Sequence, residues 1–337
     1  MDYYSGAGDY DPETVRFFDV AHEGAQLRAV GSAAERLGHL RGVRPRSVVV
    51  VATDQVSLAA ARAALTLRSP LPLPVVVCGE LPAYVGPLDV VAFVGDAAGR
   101  ESDMLGLARA ADRGAETVLA GPLRGPLLDD APSETAVIPA LPTAAGPSPT
   151  RAAGVVGAVL AALEADPGAI GERCERLAAE VDDEVQALSP ERDATANAAR
   201  QLREFACGAR VLHSGAGPVG VAVATVAAEL WSARGIASGY VAPEELAFAL
   251  ELGRAGEEDA EDDLFRDPFL DGPSALVTLK TVLWAQEATA AAHTRAESVA
   301  TAPAPAHAAD AQDAAALRLI ARAYVATAMR DRDASER

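Results

Sequence analysis

The chain has 337 residues, 50% of them hydrophobic and 23% charged, with 29 basic against 48 acidic side chains and a formal net charge of −19. That length gives a prior of two domains, and that composition supplies enough apolar material for full cores, which excludes wholesale disorder. A field of this sign repels phosphate backbones and anionic lipid, so nucleic acid and membrane surfaces are excluded as non-specific partners, while a local pocket can still accept a small anion.

The three cysteines, Cys78, Cys174 and Cys207, are scattered and form no CxxC pair. They fit a reducing compartment and supply neither a disulfide framework nor a thiolate metal site. The five histidines show no HxxxH spacing, so neither metal nor cofactor is expected. The stretch from Met1 to Phe18 is acidic and aromatic, unlike a signal peptide, and no apolar run approaches the ~20 residues of a membrane helix. The expectation is a soluble, cytoplasmic protein.

Residues Val15 to Leu40 place apolar side chains at mostly helical intervals, which predicts a helical N-terminal arm. Ser47-Val48-Val49-Val50-Val51-Ala52 is too short for a helix and apolar on both faces, the pattern of a buried parallel strand. A helix over Val56–Leu67 follows, then strands at Pro74–Cys78 and Leu88–Val94, a helix at Glu101–Arg113, and strands at Thr117–Ala120 and Thr135–Pro139. Two helical segments then run to about Leu188, broken at Asp166-Pro167-Gly168, and a third spans Ala194–Phe205. The second half reads as a strand at Ala209–His213, a helix at Pro218–Arg234, strands at Ile236–Tyr240 and Ala275–Leu279, and a last helix at Ala314–Met329. Glu257–Asp263 reads as a solvated acidic loop and Thr301–His307 as a Pro/Ala linker. Strands alternating with helices in both halves mean parallel α/β sandwiches.

Ser214-Gly215-Ala216-Gly217-Pro218-Val219-Gly220 matches GxGxxG between a strand and a helix. Gly215 and Gly217 permit close backbone approach, and N–H groups at the helix start would receive an anion. A dinucleotide site would also need an acid at the end of the next strand, which here reads Ser238-Gly239-Tyr240. A phosphate-type turn and a purely structural turn both stay open. In the first half the equivalent turn is Thr53-Asp54-Gln55-Val56-Ser57, whose Asp54 would repel a phosphate and can serve simply as a helix N-cap. After the third strand, Gly95-Asp96-Ala97-Ala98-Gly99-Arg100-Glu101-Ser102 offers Arg100 as an anion clamp or as a solvated arginine.

Asn197-Ala198-Ala199-Arg200-Gln201-Leu202, then the strand with Ser214–Pro218 and its helix, resembles the C-terminal half of bifunctional phosphoglucose/phosphomannose isomerases, which are built from two sugar isomerase (SIS) domains. Leu264–Pro273 and Val94-Gly95-Asp96 resemble an actinobacterial, TobH-like subgroup. The resemblance implies two flavodoxin-like SIS domains, parallel sheets flanked by helices, with helical N- and C-terminal elements. The divisions are 1–45 for the arm, 46–165 for the first domain, and 166–337 for the second with its C-terminal helix.

It further implies a homodimer and a sugar phosphate or related small anionic ligand. Substrate-binding positions would be Thr53, Gln55, Ser57, Gly95, Arg100, Ser102, Ser214, Gly215 and Gly217. Arg151, in Thr150-Arg151-Ala152, matches the family's site arginine. The family's catalytic glutamate falls near Ser232, with Glu229 one turn earlier, and its histidine near Pro243, with Glu244 or Glu245 as the trailing acid. Aldose–ketose isomerisation needs a base between adjacent carbons and an acid–base group for ring opening. With both positions changed, the implied chemistry is degenerate; Arg151, Glu229 and Glu245 are the residues on which an active isomerase would have to rely. An oxidoreductase on Gly215–Gly220 is the remaining alternative. One anion touching both Arg151 and the Ser214–Gly217 turn is the expected binding mode.

Overall fold

The computed structural model describes residues 11–142, 146–261, 277–285, 296–300 and 308–330. The N-terminal arm is three pieces: α1 (Pro12–Val20), α2 (Glu23–Ser32) and a 3-10 segment (Ala34–Leu40). The first half continues through β1 (Ser47–Ala52), α3 (Gln55–Arg68), β2 (Val75–Cys78), β3 (Asp89–Val94), α4 (Glu101–Asp112), β4 (Glu116–Ala120), the single turn α5 (Pro126–Asp129) and β5 (Ala136–Val137). Three helices follow, α6 (Pro149–Ala162), α7 (Pro167–Ala187) and α8 (Ala198–Ala206). The second half comprises β6 (Arg210–Gly215), α9 (Gly217–Ala233), β7 (Ser238–Tyr240), α10 (Leu246–Glu261), β8 (Leu279–Trp284), β9 (Ala296–Val299) and α11 (Ala311–Ala328).

Among the described residues every strand pairing is parallel. The first sheet runs β2-β1-β3-β4-β5 and the second β7-β6-β8-β9, the same order of neighbours in both. In each, the first strand sits between the second and third, which is the flavodoxin-like arrangement with a crevice where the strand order reverses. All six residues of β1 are buried. Its side chains alternate between two cores: Val49 and Val51 join Phe93 and Leu107 on the α4 side, whereas Val48 and Val50 face the larger core. That larger core continues through α3, α6, α9 and α11 to Val211, Val282 and Trp284 of the second sheet. The two α/β halves therefore share one helical layer, in which α3 packs on α9 and α11 packs on α7, α8 and α9.

Arginine–carboxylate pairs tie this layer together. Arg173 and Arg176 of α7 converge on Asp310 at 2.9 Å each, and Arg322 of α11 reaches Glu184 of α7 at 2.7 Å.

Several boundaries differ from the sequence reading. Asn197 caps α8 by accepting the N–H groups of Ala199 and Arg200, both at 3.1 Å, so that helix begins four residues later than its composition suggests. The acidic stretch is helical as far as Glu261, because Glu and Ala are good helix formers and an amphipathic turn can carry charge. Strand β8 starts at Leu279 rather than ending there: Thr281–Leu283 pair with Leu212–Ser214, and Trp284 pairs with Gly215. The short β9 and α5 carry too few residues for a periodic signal. Leu264–Pro273, Thr301–His307 and residues 275–276 lie outside the described residues.

Candidate functional site

The C-terminal ends of β1 and β3 and the N terminus of α6 meet at one point. Asp54 is the N-cap of α3, and its carboxylate accepts the Ser57 N–H at 2.8 Å and the Ser57 hydroxyl at 2.9 Å. The same carboxylate accepts the Asp96 N–H at 2.9 Å. Asp96 in turn accepts the Ser148 N–H at 3.0 Å and faces the Arg151 guanidinium at 3.3 Å. Gly95, at φ +144, lets the β3 loop close: a Cβ there would lie 2.3 Å from Thr53 Oγ1 and 2.6 Å from Asp54 Oδ2. Thr53, Asp54, Ser57, Gly95, Asp96, Ser148 and Arg151 thus form one cluster.

Arg151 is among the largest fully buried side chains and also donates to the carbonyls of Gly121, at 2.7 Å, and Ile138, at 3.0 Å. Burial lowers its pKa, opposed by the charges of Asp96 and Glu23. Burial likewise raises the pKa of Asp96, with Arg151 pulling the other way. Arg100 donates to Ala52 O and to Asp103, both at 2.9 Å, and so ties the end of β1 to α4; Ser102 is exposed on the first turn of α4.

Two groups that the sequence gives no reason to single out border the cluster. Glu23, at the start of α2, accepts the Thr150 N–H at 3.0 Å and the Thr150 hydroxyl at 2.6 Å. Burial pushes its pKa up to about 7, against the Thr150 hydrogen bonds. An acid in a first helical turn ordinarily reads as a solvated partner of the helix dipole, so burial alone distinguishes it. Tyr324 of α11 donates to Pro147 O and accepts from Arg234, both at 2.8 Å.

At the far end of α9 the Ser214–Gly220 turn is packed backbone to backbone. A Cβ on Gly215 would stand 2.4 Å from Gly220 O, and one on Gly220 would stand 2.6 Å from Trp284 O. Ala216 donates to Trp284 O at 3.2 Å. The next residues differ: Gly217 has φ +62 with open space beside it, and Ala216, Gly217 and Pro218 are exposed. Ser214 is buried in β6. His213, also buried, accepts the Trp284 indole N–H at 3.0 Å and lies edge-on to Trp231 with ring centroids 4.8 Å apart. Burial lowers its pKa to about 3.

Glu229 is exposed near the end of α9, and its carbonyl accepts the Gln55 amide at 3.0 Å. Glu245 is exposed ahead of α10. The first-half loops therefore sit beside the last turns of α9, whereas Gly217 opens the same helix twelve residues earlier, about 18 Å along the axis. Arg151 belongs to the first-half cluster, and the Ser214–Gly217 turn opens α9 at its other end. Among the described residues, no set of three His, Cys, Asp or Glu side chains could hold a metal, and no helix is long and apolar enough to cross a membrane.

No protein-family model matches the sequence, and no curated protein matches it. Solved structures do match the fold. Tagatose-6-phosphate ketose/aldose isomerase from Escherichia coli superposes with a TM-score of 0.59 at 12% identity, covering 92% of this chain and 91% of that one. The C-terminal domain of glucosamine-fructose-6-phosphate aminotransferase from Francisella tularensis gives 0.55 at 11% identity, covering 96% and 98%. The fold is the SIS fold. At these identities the likeness reaches the architecture of both halves and goes no further. Within the SIS fold, the two crevice-side turns are dissimilar: the one after β1 carries a carboxylate as helix cap, and the one after β6 carries Ala216.

Proposed function

We propose that this SIS-fold chain binds a sugar phosphate, or a related small anion, without isomerising it. The observation that carries the reading is the contrast between two equivalent caps. Asp54 places a carboxylate on the N–H of the third residue of α3, whereas Ala216 makes no side-chain cap on α9. A helix start with exposed main-chain donors and no local acid accepts an anion; one holding its own carboxylate does not. Ala216 donates to Trp284 O and Pro218 has no N–H, so the ligand then sits on the Gly217 and Val219 N–H groups of the second half.

Absence of turnover rests on the acids. Glu229 and Glu245 are both exposed and stand on different elements, so neither is held against a shared substrate position in a water-excluded pocket. The solved relatives named for phosphorylated sugars point to the ligand class. Division into an arm (1–45) and two domains (46–165, 166–337), a homodimer, a cytoplasmic location and membership of the TobH-like subgroup belong to the same proposal.

A thermal-shift panel of glucose 6-phosphate, mannose 6-phosphate, fructose 6-phosphate and NAD(P), followed by a coupled isomerase assay, tests it. A hexose phosphate should raise the melting temperature, and turnover should be absent. Ala216→Asp should abolish that shift while keeping or raising stability, since an aspartate at this position can cap the Val219 N–H. Turnover that is lost in Glu229→Gln would replace this reading with an active isomerase, and a shift with NAD(P) alone would replace it with a dinucleotide site.

A further inference from the structure

We infer that the edge of the first sheet where β1 and β3 begin is a docking surface for an extended acidic segment of another protein, one that carries an apolar anchor. The charge of this edge is unlike that of the chain. Residues 36–46 hold Arg36, Arg41, Arg44 and Arg46 and no acid, in a chain of net charge −19. All four arginines are exposed. Arg46 pairs with Asp89 at 2.5 Å, and His39 faces Glu116 at 3.6 Å. Arg41 and Arg44 face no carboxylate among the described residues. Uncompensated arginines on a strongly acidic chain make a local field that attracts an anionic partner.

Beside these arginines the loop of residues 82–88 presents apolar surface. Leu88 is 65% and Tyr84 49% exposed. The loop is pinned from below. Val85 is buried, the Gly86 N–H donates to the buried Asp89 carboxylate at 2.9 Å, and the Arg46 N–H donates to Leu88 O at 2.7 Å. The Arg46 guanidinium donates to Tyr84 O at 3.0 Å and lies 5.7 Å from the centre of the Tyr84 ring, while Arg113 donates to Ala83 O at 3.1 Å. A loop held this closely has little freedom left to lose when a partner lands. Tyrosine and arginine are also the residue types that carry the energy of protein interfaces.

The occupant follows from the charge. A second copy docked on this face by two-fold symmetry would set arginines against arginines, and nucleic acid is repelled by the rest of the chain. A segment with glutamates or aspartates around one apolar side chain matches both parts. Its carboxylates meet the guanidiniums in paired hydrogen bonds, and its anchor covers Tyr84 and Leu88. Neither Asp54 nor the start of α9 belongs to this edge, so the surface is independent of whether the chain binds a sugar phosphate.

The probe is a fluorescein-labelled peptide of glutamates and aspartates around a central phenylalanine, read by fluorescence anisotropy with the full chain. Its isostere of glutamines and asparagines and a single-stranded oligonucleotide are the controls. The acidic peptide should bind saturably, about tenfold or more tighter than either control, and more weakly as salt is added. Arg41→Glu with Arg44→Glu, and separately Tyr84→Ser with Leu88→Ser, should each weaken it about tenfold or more. Arg124→Glu with Arg192→Glu makes the same change of net charge at exposed loop positions elsewhere and should leave binding unchanged.

Thermal melting checks that each variant folds, and Leu88→Ser alone carries the apolar measurement should its double variant not fold. No saturable binding of the acidic peptide by the wild type overturns the inference, as does an equal loss in both charge-reversed pairs. An oligonucleotide bound as tightly as the peptide would replace it with a general polyanion surface. A dimer in light scattering that Arg41→Glu with Arg44→Glu dissolves would replace it with self-association.

Discussion

Gln55 donates its side-chain amide to the main-chain carbonyl of Glu229 at 3.0 Å, joining the turn after β1 to the last turns of α9 across 174 positions of sequence. This contact separates two motifs that look equivalent in the sequence. The Thr53–Ser57 turn and the Ser214–Gly220 turn each start the helix after the first strand of their half, yet the packing of α3 on α9 puts them at different ends of α9. One half has closed its turn with Asp54, and the other has left Ala216–Pro218 exposed.

Arg151→Ala is expected to act on stability before it acts on any ligand. The buried guanidinium satisfies the Gly121 and Ile138 carbonyls and faces Asp96. Removing one partner of a buried, hydrogen-bonded charge pair costs about 3–5 kcal/mol. Urea unfolding should show a loss in that range; a loss below about 1 kcal/mol would mean that the guanidinium is held far more loosely than these contacts imply.

Glu23 should make stability fall as the solution becomes alkaline. Its folded pKa of about 7 lies above the ordinary 4.5, chiefly because of burial, so the folded chain holds this proton more tightly than the unfolded chain. The contribution is full below pH 4.5 and is lost as the pH rises through 7. Glu23→Gln keeps an oxygen for Thr150 and never ionises. It should therefore be about 1–3 kcal/mol more stable than the wild type at pH 8 and lack this part of the pH slope. Equal slopes for the two proteins between pH 5 and pH 8, by denaturant titration on the order of every half pH unit, would show that Glu23 is not protonated in the fold.

The contrast between β1 and Glu23 shows what the sequence could carry. Four consecutive valines bounded by Ser47 and Ala52 have few options other than a strand buried on both faces, and the alternation of such runs with helices implies the parallel sheets directly. One capping residue is legible too: Asp54 reads as an N-cap and is one, whereas the Asn197 cap of α8 is not read from the sequence. Glu23 carries no such signal, because its environment comes from Thr150, 127 positions away. The same holds for Asp96 and Arg151, whose pairing depends on the α6 N terminus returning to the β3 loop. GxGxxG is local enough to be read: Gly215 does meet backbone closely, at Gly220, whereas Gly217 stands in open space, and the occupant of the turn is not written in the motif.

His213 acts with the opposite sign to Glu23. Burial beside Trp231 and Trp284 lowers its pKa from 6.5 to about 3, so the unfolded chain binds the extra proton between those values. Its contribution is present above pH 6.5 and is lost as the pH falls toward 3. His213→Gln retains an acceptor for the Trp284 indole and removes the titration. Its stability should depend less on pH than that of the wild type across this window, by up to about 1.4 kcal/mol per pH unit. Tryptophan fluorescence during urea unfolding reads this directly, and identical pH profiles would place the imidazole in contact with solvent.

Gly220→Ala and Gly217→Ala separate the structural part of the turn after β6 from its exposed part. A Cβ on Gly220 would come within 2.6 Å of both Gly215 C and Trp284 O, so backbone must move at the junction of β6, β8 and α9. Overpacking of this kind costs about 1–3 kcal/mol. A Cβ on Gly217 meets nothing, and the cost there is the left-handed φ of +62 alone, about 1 kcal/mol. Thermal melting should therefore rank Gly220→Ala as the more damaging change. The ligand-dependent shift should follow the reverse order, because Gly217 stands where an anion would approach the start of α9 and Gly220 is buried behind it. A hexose-phosphate response that survives Gly217→Ala unchanged, in a protein that still folds, would move the binding site away from this turn.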